Sequence, residues 1–363
     1  MIADALRRQI AEQSLVSTGT AADWQRLLER KAISVGFMGG SVTQGFANGA
    51  ILADAFPELI CRELEQMGYA VTKSVCADAG MDTLTGNLLA ERVILSRKPD
   101  LGFLEYAIND TTLRHSVLSF ESLLRRLLTV EKPPLVCMIL TRSAHGYSCD
   151  SYMEPVAAHY GMPCINLRYG LAPVLESGEM QWEDFADTES HPNPDGHRVI
   201  ADAVLHLLER GRKQSVPEKT PLPEPWLGAP FAAMDSLLPE ADGGFVQTNA
   251  PVCPRQEYFF HHAWAVSEKT GVWTLSGTLS AVILYFESDN NPAYGRCRVL
   301  LDGEPVRNAL LQDSVLETNS IYGWGNSRSI LLLNAKDAMP HTLTLEPLSG
   351  TVYVLAAGIC HKM

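Results

Sequence analysis

Residues 32–40 read AISVGFMGG, an apolar run that closes on two glycines. A run of this length and composition reads as a buried strand delivering the chain into a loop. Ser41 stands at the start of that loop. On the C-terminal side, a helical pattern from Ile51 to Met67 is followed by the strand-like AVTKSVCA (70–77). The helical stretch LTGNLLAERVILSRK (84–98) is turned by Pro99-Asp100 into LGFLEYA (101–107). A helix over 117–130, the strand PLVCMIL (134–140), a helix over 151–160 and the short strand PCINL (163–167) continue the alternation. The last element is a helix from Pro194 to Arg210. Asn193 is placed as its N-cap, Pro194 at the first position and Gly211 just past the end. On the N-terminal side, residues 1–32 read as helical, with Ile2, Leu6, Ile10 and Leu15 on one face. Alternation of this kind implies a parallel sheet with helices on both faces, an α/β domain over residues 1–211.

The texture then changes. Residues 212–240 begin with a proline-rich, mixed-charge stretch (RKQSVPEKTPLPEPWLGAP) that marks an extended linker. Over 241–363 helical periodicity disappears. Short β-rich runs such as GVWTLSGTLSAVILYFES, CRVLLDGEPV, SRSILLLNA, HTLTLEPLSG and TVYVLAAGIC are punctuated by Gly, Asp-Gly and Asn-Pro. They predict an antiparallel, jelly-roll-like β-sandwich domain.

Composition bounds the partners. The 363 residues are 46% hydrophobic and 20% charged, which excludes a disordered or collagen-like chain. With 29 Lys and Arg against 42 Asp and Glu, the formal net charge is −13. A phosphate-backbone binder would need a basic face, so nucleic acid is not an expected partner. No run of about 18 apolar residues appears, and no membrane association is expected. The N-terminus lacks the apolar core and cleavage site of a secretory signal, so cytoplasmic residence is the expectation. Self-association is left open. The eight cysteines are scattered without a C-x-x-C pair and read as buried free thiols. His261-His262 has no third ligand at metal spacing.

In an open α/β sheet, ligands sit beyond the carboxyl ends of the strands. Three loop segments fall there: Gly39-Gly40-Ser41-Val42-Thr43-Gln44-Gly45, Ile108-Asn109-Asp110, and Asp187-Thr188-Glu189-Ser190-His191-Pro192-Asn193. Together they offer a hydroxyl, a side-chain amide, and a histidine preceded by carboxylates. Nucleophilic serine chemistry needs a hydroxyl, a base to take its proton and an orienting acid. An amide can donate to the developing oxyanion. Read singly, each segment has a structural explanation: a βα turn, an Asx cap, a loop histidine.

Read together, GGSVTQG, EYAINDTT and HPNPDGH resemble, in order, the signature blocks of the SGNH/GDSL hydrolases, serine esterases of flavodoxin-like three-layer α/β/α fold. The resemblance covers residues 33–210. It implies Ser41 as nucleophile, His191 as general base, and Asn109 and the Ser41 N–H as oxyanion donors, with no metal or organic cofactor. Two positions depart from the pattern. The third oxyanion donor, usually a glycine N–H, falls on Thr83, with Gly80 three residues earlier. The acid, usually an Asp three residues before the His, is replaced by Thr188. Asp187 is the preferred orienting acid, Glu189 the alternative, and a Ser–His dyad remains if neither reaches. Around this set, Gly40, Asp110, Glu105 and Arg142 are candidate pocket residues, with Tyr106 beside Glu105. Asp110 is expected to brace the Ser41 loop, and His197 to serve helix structure. An SGNH domain followed by a β-sandwich resembles carbohydrate-active esterases that remove acetyl or other short acyl groups. Trp226, Trp264, Trp273 and Trp324 offer surfaces for stacking on sugars or for a core. The expected substrate is a glycan or small-molecule ester. The alternatives are a lipase or lysophospholipase-type acylhydrolase, and a lapsed carbohydrate-binding or assembly module.

Overall fold

Apolar residues at alternate positions of the five predicted strands meet helices on each side, and this positions everything else. The computed structural model describes residues 1–19, 24, 27, 30–213, 221–227, 236–238, 247–248, 263–307, 311–321 and 323–360. The chain divides into two units, Met1–Pro230 and Phe231–Met363.

In the first unit the strands β2 (Ala32–Gly39), β5 (Ala70–Ala77), β6 (Leu101–Glu105), β7 (Leu135–Leu140) and β8 (Pro163–Asn166) are parallel, and β1 (Leu15–Thr18) is an antiparallel edge on β8. The spatial order β1-β8-β7-β6-β2-β5 gives the parallel strands the 2-1-3-4-5 order of a flavodoxin-like sheet. Its switch point lies between β2 and β6, so the loops after those two strands diverge and leave a crevice at their carboxyl ends. Ile33, Val35, Phe37, Leu101 and Phe103 face a core built with the helices α1 (Asp4–Ser14), α3 (Phe56–Gln66), α7 (Leu167–Glu176) and α9 (Pro194–Arg212). Phe37 stacks on Phe103 at 5.1 Å and meets Phe56 edge-on at 6.1 Å. The alternate strand residues point to the opposite face, where α4 (Thr83–Leu89), α5 (Arg114–Thr129) and α6 (Asp150–His159) pack in sequence.

Local departures from the sequence reading have visible causes. The helix expected from Ile51 begins at Phe56, because Phe46–Ala47 (β3) and Ala50–Ile51 (β4) close a hairpin. Its turn is Asn48-Gly49, both at positive φ (44° and 79°), as a type I′ turn requires. Leu15–Thr18 leaves the expected N-terminal helix to pair with β8. Helix α9 runs through Gly211 to Arg212; Trp24 lies so close that a Cβ on Gly211 would stand 2.3 Å from its ring.

Part of the predicted linker is fastened to the first unit. The buried Glu121 carboxylate on α5 accepts the N–H of Leu227 at 2.8 Å, the N–H of Trp226 and the Tyr160 hydroxyl. Arg125 donates to the Pro223 carbonyl at 2.7 Å, His159 Nε2 lies 2.7 Å from the Glu224 carbonyl, and the Trp226 ring packs on His159. Residues 214–220 and 228–230 lie outside the described residues.

The second unit is antiparallel. Its main sheet runs β10 (Gln247–Thr248), β11 (Ala263–Val266), β17 (Val352–Cys360), β12 (Trp273–Asp289), β16 (Trp324–Ser349), β13 (Arg296–Leu301), β14 (Glu304–Pro305), with β9 (Ser236–Leu238) on β17 and β15 (Val315–Glu317) on β13. The two runs SRSILLLNA and HTLTLEPLSG belong to one strand, β16. They pair with successive halves of β12 across an irregularity between Leu279 and Ala281. Asp302-Gly303, at φ 55° and 83°, makes the β13–β14 turn.

Candidate active site

Strand β2 ends at Gly39, and Ser41 opens the short helix α2 (Ser41–Gln44) with Gly40 as its N-cap. As a first-turn residue, Ser41 has an N–H without a partner inside the helix. The side chain is nearly buried, 5% exposed, and its Oγ lies 3.0 Å from Nε2 of His191. Two residues on, Thr43 Oγ1 donates to Glu105 Oε2 at 3.0 Å. Thr141 Oγ1, just past β7, donates to the other oxygen at 2.6 Å, and the N–H groups of Gly40 and Thr43 add to the set. One carboxylate thus ties the ends of β2, β6 and β7 beneath the serine. Burial pushes its pKa up to about 7, against the opposing pull of those donors. Glu105 is 1% exposed and lines no pocket, a correction to the sequence expectation. Tyr106 is equally buried.

Asn109 follows β6, with its N–H on the Tyr106 carbonyl at 3.0 Å. Its carboxamide lies directly on Gly40: a Cβ there would stand 2.5 Å from Asn109 Oδ1 and 2.8 Å from Nδ2. Gly40 is a glycine for this approach rather than as a pocket wall. Oδ1 is buried without a donor, and Nδ2 has no acceptor among the described residues. The amide hydrogens remain available.

The third donor is corrected. Thr83 cannot supply its N–H, because that group donates to Asp110 Oδ1 at 2.8 Å while its hydroxyl donates to Oδ2 at 2.7 Å. In the same turn, the Ala79 N–H is held by Asp78 Oδ1 at 2.8 Å and the Met81 N–H by the Asp78 carbonyl at 3.0 Å. Gly80, exposed and at φ 75°, has its N–H unengaged among the described residues. Asp110 also accepts from the Tyr152 hydroxyl at 2.9 Å. It therefore braces α4 and α6 rather than the Ser41 loop or a pocket. Burial, with the Asp82 carboxylate nearby, raises its pKa.

His191 lies in the loop between α8 (Trp182–Phe185) and α9. The Asp187 N–H donates to the His191 carbonyl at 3.1 Å, and Ala186 and Pro192 bridge. Asn193 caps α9 by accepting the Gly196 N–H at 2.9 Å. The Glu189 carbonyl accepts the Ala144 N–H at 2.7 Å, which pins the loop to the segment after β7. The orienting acid is absent from its expected place. Asp187 and Glu189 are exposed, and neither forms an ion pair with His191. Instead Thr188 Oγ1 lies 3.1 Å from His191 Nδ1, and the Trp182 indole N–H holds the Thr188 carbonyl at 2.8 Å. Asp187 forms the base of the loop through its backbone bond to His191, and the exposed Thr188 is the residue whose side chain reaches the imidazole. The ring of Phe46 meets the imidazole edge-on at 5.0 Å. With no carboxylate against it, burial alone acts on His191 and lowers its pKa below 6.5.

Other candidates fall elsewhere. Arg142 turns back on its own loop, donating to the Ser143 and Ala144 carbonyls. His197 is fully buried, stacks on Phe56 and accepts the Phe56 N–H at 3.2 Å, so it serves the start of α3. Burial lowers its pKa to about 4. Trp264 and Trp273 are buried against each other in the core of the second unit, not on a sugar-facing surface. Trp226 packs on His159, and the Trp324 side chain lies outside the described residues. Seven cysteines are buried free thiols; Cys253 and His261-His262 lie outside the described residues. A cavity of about 550 Å³ sits at the other end of the strands, against Ile33, Tyr69 and Leu101, away from Ser41. Thr43, Phe46, Thr141, Tyr152 and Thr188 were not singled out from sequence as parts of the site. Of these only Thr188 had a signal, its place three residues before the histidine.

No protein-family profile matches the chain, and no curated protein matches it. Solved structures do. A two-domain esterase active on acetylated mannans superposes with a TM-score of 0.85 at 17% identity, over 97% of this chain and 99% of that one. The same kind of esterase co-crystallised with mannopentaose gives 0.84 at 18% identity, over 97% and 98%. The likeness spans both units and shows that the chain has the fold of a two-domain esterase.

Proposed function

We propose that this chain is a serine-dependent carboxylic ester hydrolase of SGNH type that removes acetyl or other short acyl groups from a carbohydrate. The observation that carries the reading is the 3.0 Å contact between Ser41 Oγ and His191 Nε2, made by residues 150 positions apart, one after β2 and the other in the loop before α9. A nucleophile and base at hydrogen-bond distance fit acyl transfer.

Ser41 Oγ attacks the ester carbonyl as its proton passes to His191 Nε2. The oxyanion accepts hydrogen bonds from the Ser41 N–H, Asn109 Nδ2 and the Gly80 N–H. His191 then protonates the leaving alcohol, and water releases the acyl group from Ser41 by the same steps in reverse. The glycan as substrate is supported by the shared two-domain fold with esterases active on acetylated mannans. The net charge of −13 favours a neutral acylated glycan over an anionic surface. The Thr188 substitution speaks for a lapsed module, but the intact Ser41–His191 contact speaks against it.

The test is turnover of p-nitrophenyl acetate, butyrate and octanoate, and of acetylated mannan, by wild type and Ser41→Ala. Turnover that falls with chain length and drops by several orders of magnitude in Ser41→Ala is expected. Equal turnover by the two proteins would sink the proposal. Preference for octanoate would favour a lipase-type acylhydrolase.

A further inference from the structure

The Thr188 hydroxyl stands where a serine hydrolase has a carboxylate, and three contacts determine how it is bonded. A hydroxyl has one proton and two acceptor lone pairs. The backbone N–H groups of Ser190 and His191 both donate to Thr188 Oγ1, at 3.3 and 3.1 Å. Since an N–H can only donate, both lone pairs are engaged. The remaining contact, 3.1 Å to His191 Nδ1, falls to the hydroxyl proton. We propose that Thr188 is the positioning residue for His191, and that by donating to Nδ1 it holds the resting imidazole in the tautomer whose hydrogen sits on Nε2, facing Ser41 Oγ.

The consequence for rate rests on the hydrolase reading above; the tautomer itself is a property of the free protein. With a hydrogen on Nε2, His191 has no lone pair there for the Ser41 proton. To reach the reactive form, Nε2 releases its proton to water and Nδ1 takes one up. The Thr188 hydroxyl must then turn a lone pair toward Nδ1–H, giving up the longer of its two backbone bonds, that from Ser190. Only then does the Ser41 proton pass to Nε2 as the Oγ–carbon bond forms. The resulting imidazolium faces a neutral oxygen through Nδ1–H instead of a carboxylate. In the Ser-His-Asp template, losing the correct tautomer lowers kcat by roughly 10⁴. This chain is therefore inferred to turn over well below what its serine, histidine and donors allow.

Aspartate at position 188 would keep a side-chain oxygen for the two N–H groups and add the missing charge. Thr188→Asp is expected to raise kcat by about tenfold or more with KM little changed. Nitrogen NMR, with His191 identified by its disappearance in His191→Gln, should show Nε2–H in wild type and Nδ1–H in Thr188→Asp. Thr188→Ser, which keeps the hydroxyl, should match wild type in both readouts. A wild-type spectrum with the hydrogen on Nδ1 overturns the proposal, as does a folded Thr188→Asp that is no faster while Ser41-dependent turnover is present. If neither wild type nor Thr188→Asp shows Ser41-dependent turnover, the hydrolase reading fails, and the wild-type spectrum still decides the tautomer.

Discussion

On the Ser41 side of the 3.0 Å contact, the anchors are buried carboxyl groups. Glu105 gathers Thr43, Thr141 and two backbone N–H groups under Ser41, and Asp110 holds Thr83 and Tyr152 one strand end away. On the base side, His191 rides on a surface loop whose carboxylates are exposed, and its ring is held by a neutral hydroxyl and the edge of Phe46. A desolvated carboxylate with several donors fixes geometry strongly, because removing a donor leaves charge unmet in a low dielectric. A lone hydroxyl fixes direction but supplies no charge. Ser41 thus sits over a denser hydrogen-bond network than His191 does.

The largest break in this contrast should come where the two sides meet the substrate oxygen. Gly40→Ala would push a methyl group into the Asn109 carboxamide. Asn109→Ala would remove the donor outright. Both should lower kcat by roughly 10²–10³, with smaller changes in KM. Assays of the two variants and their double mutant check this. A double mutant no worse than Asn109→Ala alone marks a shared defect.

A smaller effect should separate the Ser41 side in its pH dependence. Folding raises Glu105 from its ordinary 4.5 to about 7. Between those values the folded chain holds a proton that the unfolded chain has lost. The contribution to stability is therefore full below about pH 4.5 and declines as pH rises through about 7. The shift corresponds to about 3 kcal/mol. Denaturant unfolding at pH 5 and pH 8 should show the advantage of wild type over Glu105→Gln shrinking by that order. A constant difference between the two proteins would remove Glu105 as the source.

The smallest effect is expected on the base side. With the His191 pKa lowered by burial, the acid limb of kcat/KM should have its midpoint below 6.5, and activity should persist to lower pH than an unshifted histidine allows. A limb at or above 6.5 would mean that a carboxylate reaches the ring in the free protein.

How much of this was legible in the sequence follows from how each part is encoded. The parallel strands were, because a strand buried on both faces must be apolar along its length, as LVCMIL is. The meeting of Ser41 with His191 was, because loops at one rim of an open sheet are brought together. The role of Glu105 was not, since a glutamate at a strand end reads alike whether it faces solvent or three converging loops. The hairpin at Asn48-Gly49 carried its turn signal, but the helical pattern from Ile51 masked it. Thr83 and Asp187 were misplaced for one reason: spacing locates a residue along the chain, whereas which N–H or carboxylate is unengaged depends on neighbours such as Asp110, 27 residues away.

The fastening of residues 223–227 bears on how the chain can be cut. Glu121 is buried, and its carboxylate is met from outside the helices by the N–H groups of Trp226 and Leu227. An α/β fragment ended at the close of α9, where the proline-rich stretch begins, would leave that carboxyl group in the interior with the Tyr160 hydroxyl as its remaining donor among the described residues. Stripping a buried carboxylate of two N–H partners is among the more damaging changes a fold can suffer. A cut between the two units should therefore fall after Leu227, later than the composition suggests.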